Sequence, residues 1–124
     1  ALQEGLQDGT IDAICSHHEP LAKTAKQAPF AECKPGISNF DTFMGLACQL
    51  VKEGILTPTQ LVEKIALNPA KIAGIEASYH QTGGAVLVDP SLTWTVTKES
   101  MMSQGKNTPF INSELTGKVE QVYF

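Results

Sequence analysis

Asp8-Gly9-Thr10-Ile11-Asp12-Ala13-Ile14-Cys15-Ser16-His17-His18-Glu19-Pro20-Leu21 is the stretch on which the fold turns. Gln7-Asp8-Gly9-Thr10 is a turn signal that closes a short helix end in residues 1–10. Ile11 to Ser16 is a brief apolar run of the kind that forms a buried strand. It stops at His17-His18-Glu19-Pro20. A polar, ionisable cluster at the end of a buried strand is where α/β folds place their chemistry.

Downstream, residues 21–37 have no period. Lys23, Lys26, Pro29, Pro35 and Gly36 interrupt every template, which predicts a long loop. Ser38 to Glu53 reads as a helix, with Phe40, Phe43, Met44, Ala47, Leu50 and Val51 on one face. Ser38 is the expected cap, Asp41 suits the first turn, and Gly54 suits a left-handed stop. Thr57-Pro58-Thr59-Gln60 is a capping box with proline at the first helical position. Leu61, Val62, Ile65 and Ala66 follow as its buried stripe. Asn68-Pro69 predicts a fresh start, and Gly74 an end, for a last helical turn.

Beyond Gly74 the pattern becomes β. Gly83-Gly84 precedes a strand at Ala85–Val88, stopped by the turn signal Asp89-Pro90. Leu92 to Thr97 alternates, with Leu92, Trp94 and Val96 on one face and threonines on the other. Residues 98–109 read as loop, and residues 118–124 as a last strand. The expected boundary lies near residue 76, with residues 1–75 α/β and residues 76–124 all-β.

The 124 residues are 42% hydrophobic and 18% charged, the balance of a globular protein. No apolar run of about 18 residues occurs, so no membrane span is expected. No basic segment precedes an apolar one, so no secretory signal is expected. A net charge of −4 argues against nucleic acid or an anionic membrane as partner. Cys15, Cys33 and Cys48 are odd in number and lack C-x-x-C spacing, which fits reduced thiols in the cytoplasm. Cys15 and Cys48 are expected to be small buried hydrophobes.

His17 and His18 invite a metal reading, but neighbours at a strand end point opposite ways, and Glu19 adds no standard ligand spacing. His80 is expected in a distant polar turn, and Asp12, Asp41 and Asp89 form no acid/base pair. No metal ligand is assigned. Nucleotide-binding glycine loops, the G-x-S-x-G elbow and H-E-x-x-H are all absent.

The run from Asp8 to Leu21 resembles the last barrel strand of dihydroorotases, in the amidohydrolase superfamily. The resemblance continues through Lys26, Ala28-Pro29-Phe30, Pro35-Gly36-Ile37-Ser38, Asn68 to Gly74, Asn107-Thr108-Pro109-Phe110 and Leu115 to Val119. It implies the C-terminal part of a TIM-type (β/α)8 barrel, with residues 11–16 as final strand and 39–53 as its helix. Strands of a small β-sandwich domain would follow. The zinc-binding elements of the catalytic members lie earlier in that barrel. The resemblance therefore implies that these residues are the C-terminal third of a longer polypeptide, whose N-terminal part would be their first partner.

The departures from the family pattern carry the functional reading. His17 stands where the family has its metal-binding, acid/base aspartate. Leu21 stands where a histidine helps hold substrate. Pro35 and Gly36 keep the backbone element that contacts the pyrimidine ring. These changes imply a pseudoenzyme of pyrimidine biosynthesis, resembling non-catalytic homologues that serve as structural partners of aspartate carbamoyltransferase. Two alternatives stay open: an active zinc-dependent cyclic-amide hydrolase with His17 as ligand, and a packing or oligomerisation segment with no activity of its own. The chain alone is expected to be neither active nor cofactor-bound, and an oligomer is expected.

Overall fold

A computed structural model of the chain describes residues 1–75 and 84–123. His80, Gly83, Phe124 and the boundary near residue 76 lie outside the described residues. The elements are α1 (Leu2–Asp8), α2 (Phe40–Lys52), α3 (Pro58–Val62), a π-helical turn (Glu63–Leu67), α4 (Asn68–Ile72), β1 (Ala85–Thr95) and β2 (Glu114–Tyr123). β1 and β2 form a two-stranded antiparallel sheet. Helices plus strands match the expected α/β class. Among the described residues, no helix is long and apolar enough to cross a membrane.

The opening turn forms as read: Gly9 takes φ 86° after α1, and Asp8 Oδ1 accepts the Thr10 N–H at 2.8 Å. The strand expected at residues 11–16 does not form. A strand needs a neighbouring strand to take its N–H and C=O groups, and among the described residues some of these groups are bonded to helical residues instead. Ile14 N–H donates to the Lys64 carbonyl at 2.9 Å, the Lys64 ammonium donates to the Ile11 carbonyl, and Asn68 Nδ2 donates to the Asp12 carbonyl at 2.9 Å. Lys64 is buried with its charge spent on that carbonyl. Cys15 is exposed, correcting the buried reading, because no helix among the described residues covers its side of the segment; Cys48 is buried as read.

The irregular stretch 21–37 holds two short 3-10 turns, Lys23–Lys26 and Phe30–Glu32. α2 begins at Phe40 rather than Ser38. Phe40, expected in the buried stripe, is 70% exposed. Ser38 does not cap it; its hydroxyl is buried without a partner. The capping box at Thr57 and Gln60 is formed in both directions. Asn68 starts no new helix: α3, the π turn and α4 run on without a break. Pro69 has no N–H to donate to the fourth residue before it, and the widened turn precedes that gap.

Ala47, Leu56 and Leu61 form the core, with Leu6, Ile14, Leu50, Val51, Ile55 and Ile65 packed against it. On its other side α2 lies on β2 at very close range, because glycines face each other. A Cβ on Gly45 would sit 3.1 Å from the Gly117 carbonyl oxygen, and one on Gly117 would sit 2.7 Å from Cys48 Cβ. Burial pushes the Cys48 thiol pKa up, which keeps it protonated and inert. The Trp94 indole N–H donates to the Gly117 carbonyl at 3.1 Å, and Lys118 Nζ lies 5.2 Å from the Trp94 ring centroid.

The strands read as Ala85–Val88 and Leu92–Thr97 are one strand, β1. The Asp89-Pro90 signal makes a bulge instead of a turn, and the pairing slips between Asp89 and Thr93. Asp89 Oδ1 accepts the Ser91 N–H at 2.8 Å and the Leu92 N–H at 3.2 Å, so the turn chemistry is satisfied inside the strand. Val96 follows as a fully buried residue, its N–H bonded to the Ser113 carbonyl at 2.9 Å.

Asp41 ties α2 to the loop between the strands. Its carboxylate accepts the Met102 N–H at 2.6 Å, the Ser103 N–H at 3.4 Å, and the Ser103 hydroxyl. Burial alone would raise its pKa, but those bonds from Ser103 and Met102 outweigh it and hold the carboxyl below its usual range. A depressed carboxylate stabilises the fold above its unfolded value, near pH 4, and that contribution is lost as pH falls through the lower folded value. Asp41→Asn is expected to cost about 1–2 kcal/mol at pH 7, the low end for a charged acceptor because the group is part-exposed. Urea unfolding at pH 7 and pH 3 checks this: the gap from wild type should shrink at pH 3, and an equal gap at both would refute it.

Candidate functional site

The cluster His17-His18-Glu19-Pro20 lies where the 11–16 segment ends, and it meets residues 35–39 and 107. His17 takes φ 44°, one of two positive-φ residues other than glycine among the described residues. Such a backbone is sparsely populated for a non-glycine residue and tends to mark functional segments. It turns the His17 ring outward, 82% exposed, with Nε2 3.9 Å from Glu19 Oε1.

His18 points the other way, as expected for adjacent residues. Its Nδ1 accepts the backbone N–H groups of Asn39 at 3.1 Å and Phe40 at 3.0 Å. These are orphan donors of the first turn of α2, so His18, twenty-one residues before Asn39, does the capping assigned to Ser38. Phe40 stands edge-on to it, ring centroids 5.6 Å apart. Asn39 Nδ2 donates to the Ser16 carbonyl at 2.9 Å, and Asn39 Oδ1 accepts from Thr42 Oγ1 at 2.9 Å.

The second wall is Pro35-Gly36-Ile37. His18 pairs with Ile37 in a parallel bridge, and Glu19 N–H donates to the Ile37 carbonyl at 2.8 Å. Gly36 takes φ 97° with the Glu19 side chain against its α-carbon. Leu21 is half-buried and contributes its backbone N–H, which donates to Asn107 Oδ1 at 2.7 Å. The fold therefore brings the loop of His17 and Leu21 against the loop of Pro35 and Gly36.

Asn107 connects them. Its Nδ2 donates to the Glu19 carbonyl at 3.0 Å and the Gly36 carbonyl at 3.3 Å, and its own carbonyl accepts the Ser38 N–H at 3.1 Å. Neither this role nor the capping by His18 is announced by local spacing. Asn107 does sit in one of the blocks that carry the family resemblance.

Zinc requires about three or four nitrogen, sulfur or oxygen donors from the protein. Among the described residues no group of three His, Cys, Asp or Glu side chains comes together. His17 and Glu19 offer two donors, and Nδ1 of His18 is committed to α2. The described residues do not by themselves fit a zinc centre.

No family model matches the chain. Among curated proteins it is 43% identical over 122 residues to a dihydroorotase of Syntrophus aciditrophicus, covering 96% of this chain and 29% of that protein. A dihydroorotase of Geobacter metallireducens is 42% identical over 120 residues, 94% of this chain and 28% of that protein. A dihydroorotase of Chlorobaculum tepidum is 37% identical over 127 residues, 99% of this chain and 29% of that protein. Two solved structures share the fold: a D-hydantoinase, with TM-score 0.84 and 22% identity over 99% of this chain and 29% of that one, and the dihydropyrimidinase of Brevibacillus agri, with TM-score 0.88 and 20% identity over 98% and 29%. Over almost its whole length, the chain is similar to a stretch that makes up less than a third of proteins named dihydroorotase, and it is folded like a stretch of the same share in a D-hydantoinase and a dihydropyrimidinase.

Proposed function

We propose that these residues are the C-terminal part of a dihydroorotase-like protein of pyrimidine biosynthesis, catalytically inactive, which serves as a structural partner of aspartate carbamoyltransferase in the cytoplasm. In this reading residues 1–75 complete a (β/α)8 barrel, and residues 76–124 belong to a small β-sandwich domain. In the same reading the 11–16 segment pairs with the preceding strand of that barrel in the longer polypeptide.

The observation behind the reading is the pair His17 and Leu21, in a stretch that resembles the family's last barrel strand. A metal-bridging acid/base group must accept a proton from water and return it to the leaving nitrogen. His17 is an exposed imidazole turned toward Glu19. It lacks the two-oxygen geometry of a carboxylate, and Leu21 has no side-chain donor for substrate. Gly36 takes φ 97° beside Glu19, and in this reading Pro35 and Gly36 are the remnant of the element that contacts the pyrimidine ring. Zinc would serve only the catalytic relatives.

The test uses the full polypeptide that carries these residues, supplied with zinc. It is expected to show no hydrolysis of dihydroorotate above background and to co-purify with aspartate carbamoyltransferase. Measurable turnover that falls together with zinc content in His17→Ala would overturn the reading in favour of a zinc hydrolase with His17 as ligand.

A further inference from the structure

Asn107 uses its side-chain amide almost completely. One carbonyl oxygen and two N–H donors are available to an asparagine. The oxygen accepts from Leu21 N–H at 2.7 Å, and Nδ2 donates to the carbonyls of Glu19 at 3.0 Å and Gly36 at 3.3 Å. The Asn107 backbone carbonyl takes the Ser38 N–H at 3.1 Å. Glu19, Leu21 and Gly36 are thus held by one side chain from a third loop, and Ser38 by the backbone of the same residue. No other residue type matches it: aspartate lacks the donors, glutamine is longer, and alanine has neither function.

We propose that Asn107 is the positioning residue of the candidate site, setting the separation between the loop of His17–Leu21 and the loop of Pro35–Gly36. Among the described residues the two loops also meet directly at Ile37, which pairs with His18 in a parallel bridge and accepts the Glu19 N–H at 2.8 Å. A short bridge at one end leaves the rest of the two loops free to splay; the Asn107 amide adds contacts to Glu19, Leu21 and Gly36 that restrain this. The same clamp would fix a site in an active relative or preserve its empty frame here. The inference rests on the reading that these two loops flank one site, but its test needs no turnover.

Amide hydrogen exchange in the full polypeptide separates the contributions. In Asn107→Asp the acceptor for Leu21 remains, while a second carboxylate oxygen faces two carbonyls. The Glu19 and Ser38 amides are expected to exchange about tenfold faster, with Leu21 still protected. In Asn107→Ala all three amides should exchange faster. The Val96 amide, in the strand region, should be unchanged in both variants. A purely structural role would instead raise exchange everywhere, Val96 included. That outcome in both variants overturns the proposal, as does unchanged exchange at Glu19 and Ser38. If Asn107→Asp does not fold, Asn107→Ala must show the three local rises with Val96 unchanged. Absence of dihydroorotate hydrolysis leaves this result untouched, and failure of this result leaves the proposed function standing.

Discussion

Gly117→Ala is expected to lower the unfolding free energy by about 3–5 kcal/mol, a large share of the 5–15 kcal/mol typical of a domain. Two penalties coincide at this position. The backbone has φ 103°, outside the regions open to an L side chain, which costs about 1–3 kcal/mol. The new methyl would also lie 2.7 Å from Cys48 Cβ and 2.8 Å from Cys48 Sγ. Overpacking of that kind costs about 1–3 kcal/mol more. Relief would require α2 to back away from β2, which would also loosen the Trp94 bond to the Gly117 carbonyl. Gly9→Ala is the control: φ is 86°, but nothing lies within 4 Å of the added carbon. It should cost only the backbone share. Urea unfolding of both variants measures the difference, and equal losses would show that the α2–β2 approach is not as close as described.

Gly36→Ala is expected to damage the candidate site strongly. The φ of 97° again excludes an ordinary side chain. The added carbon would overlap Glu19 Oε2 and fall 2.6 Å from Glu19 Cβ. The carboxylate end can swing away, but Cβ is fixed to the backbone, so Glu19 must move as a residue. A loss of about 2–4 kcal/mol follows from strain and overlap together. Moving Glu19 also breaks its N–H bond to the Ile37 carbonyl. Loss of protection at the Glu19 amide should accompany the stability loss. Full protection of that amide in the variant would refute the account.

What the sequence disclosed was whatever its neighbours in the chain decide. The turn at Asp8–Thr10, the capping box at Thr57 and Gln60, and the stop at Gly54 all form, because each closes within a few residues. Ser38 was misread because its competitor for the start of α2, His18, comes from another part of the chain. Residues 11–16 have strand composition, yet a strand exists only with a partner, and these carbonyls meet Lys64 and Asn68 instead. Asp89-Pro90 carries genuine turn chemistry, but the pairing with β2 on both sides absorbs it as a bulge. At the site, the family resemblance marks His17, Leu21, Pro35 and Gly36, while the link among them is an amide at residue 107. No periodicity or spacing rule reaches that far.

The distance along the chain also sets an order of events in time. Asn107 lies 86 residues after Leu21 and 88 after Glu19. At a synthesis rate of about 5–20 residues per second, the clamp leaves the ribosome roughly 4–17 s after the loop it must hold. Helical hairpins close in microseconds to milliseconds, so α2 and the core around Leu56 and Leu61 have ample time to form first. Until Asn107 emerges, the segment from His17 to Gly36 is held to the start of α2 by His18 and by the Glu19–Ile37 bond, without the Asn107 contacts. Phe30 on that segment stays 98% exposed even in the finished fold, so the Asn107 clamp fixes the segment's position without covering the surface that a chaperone or protease meets.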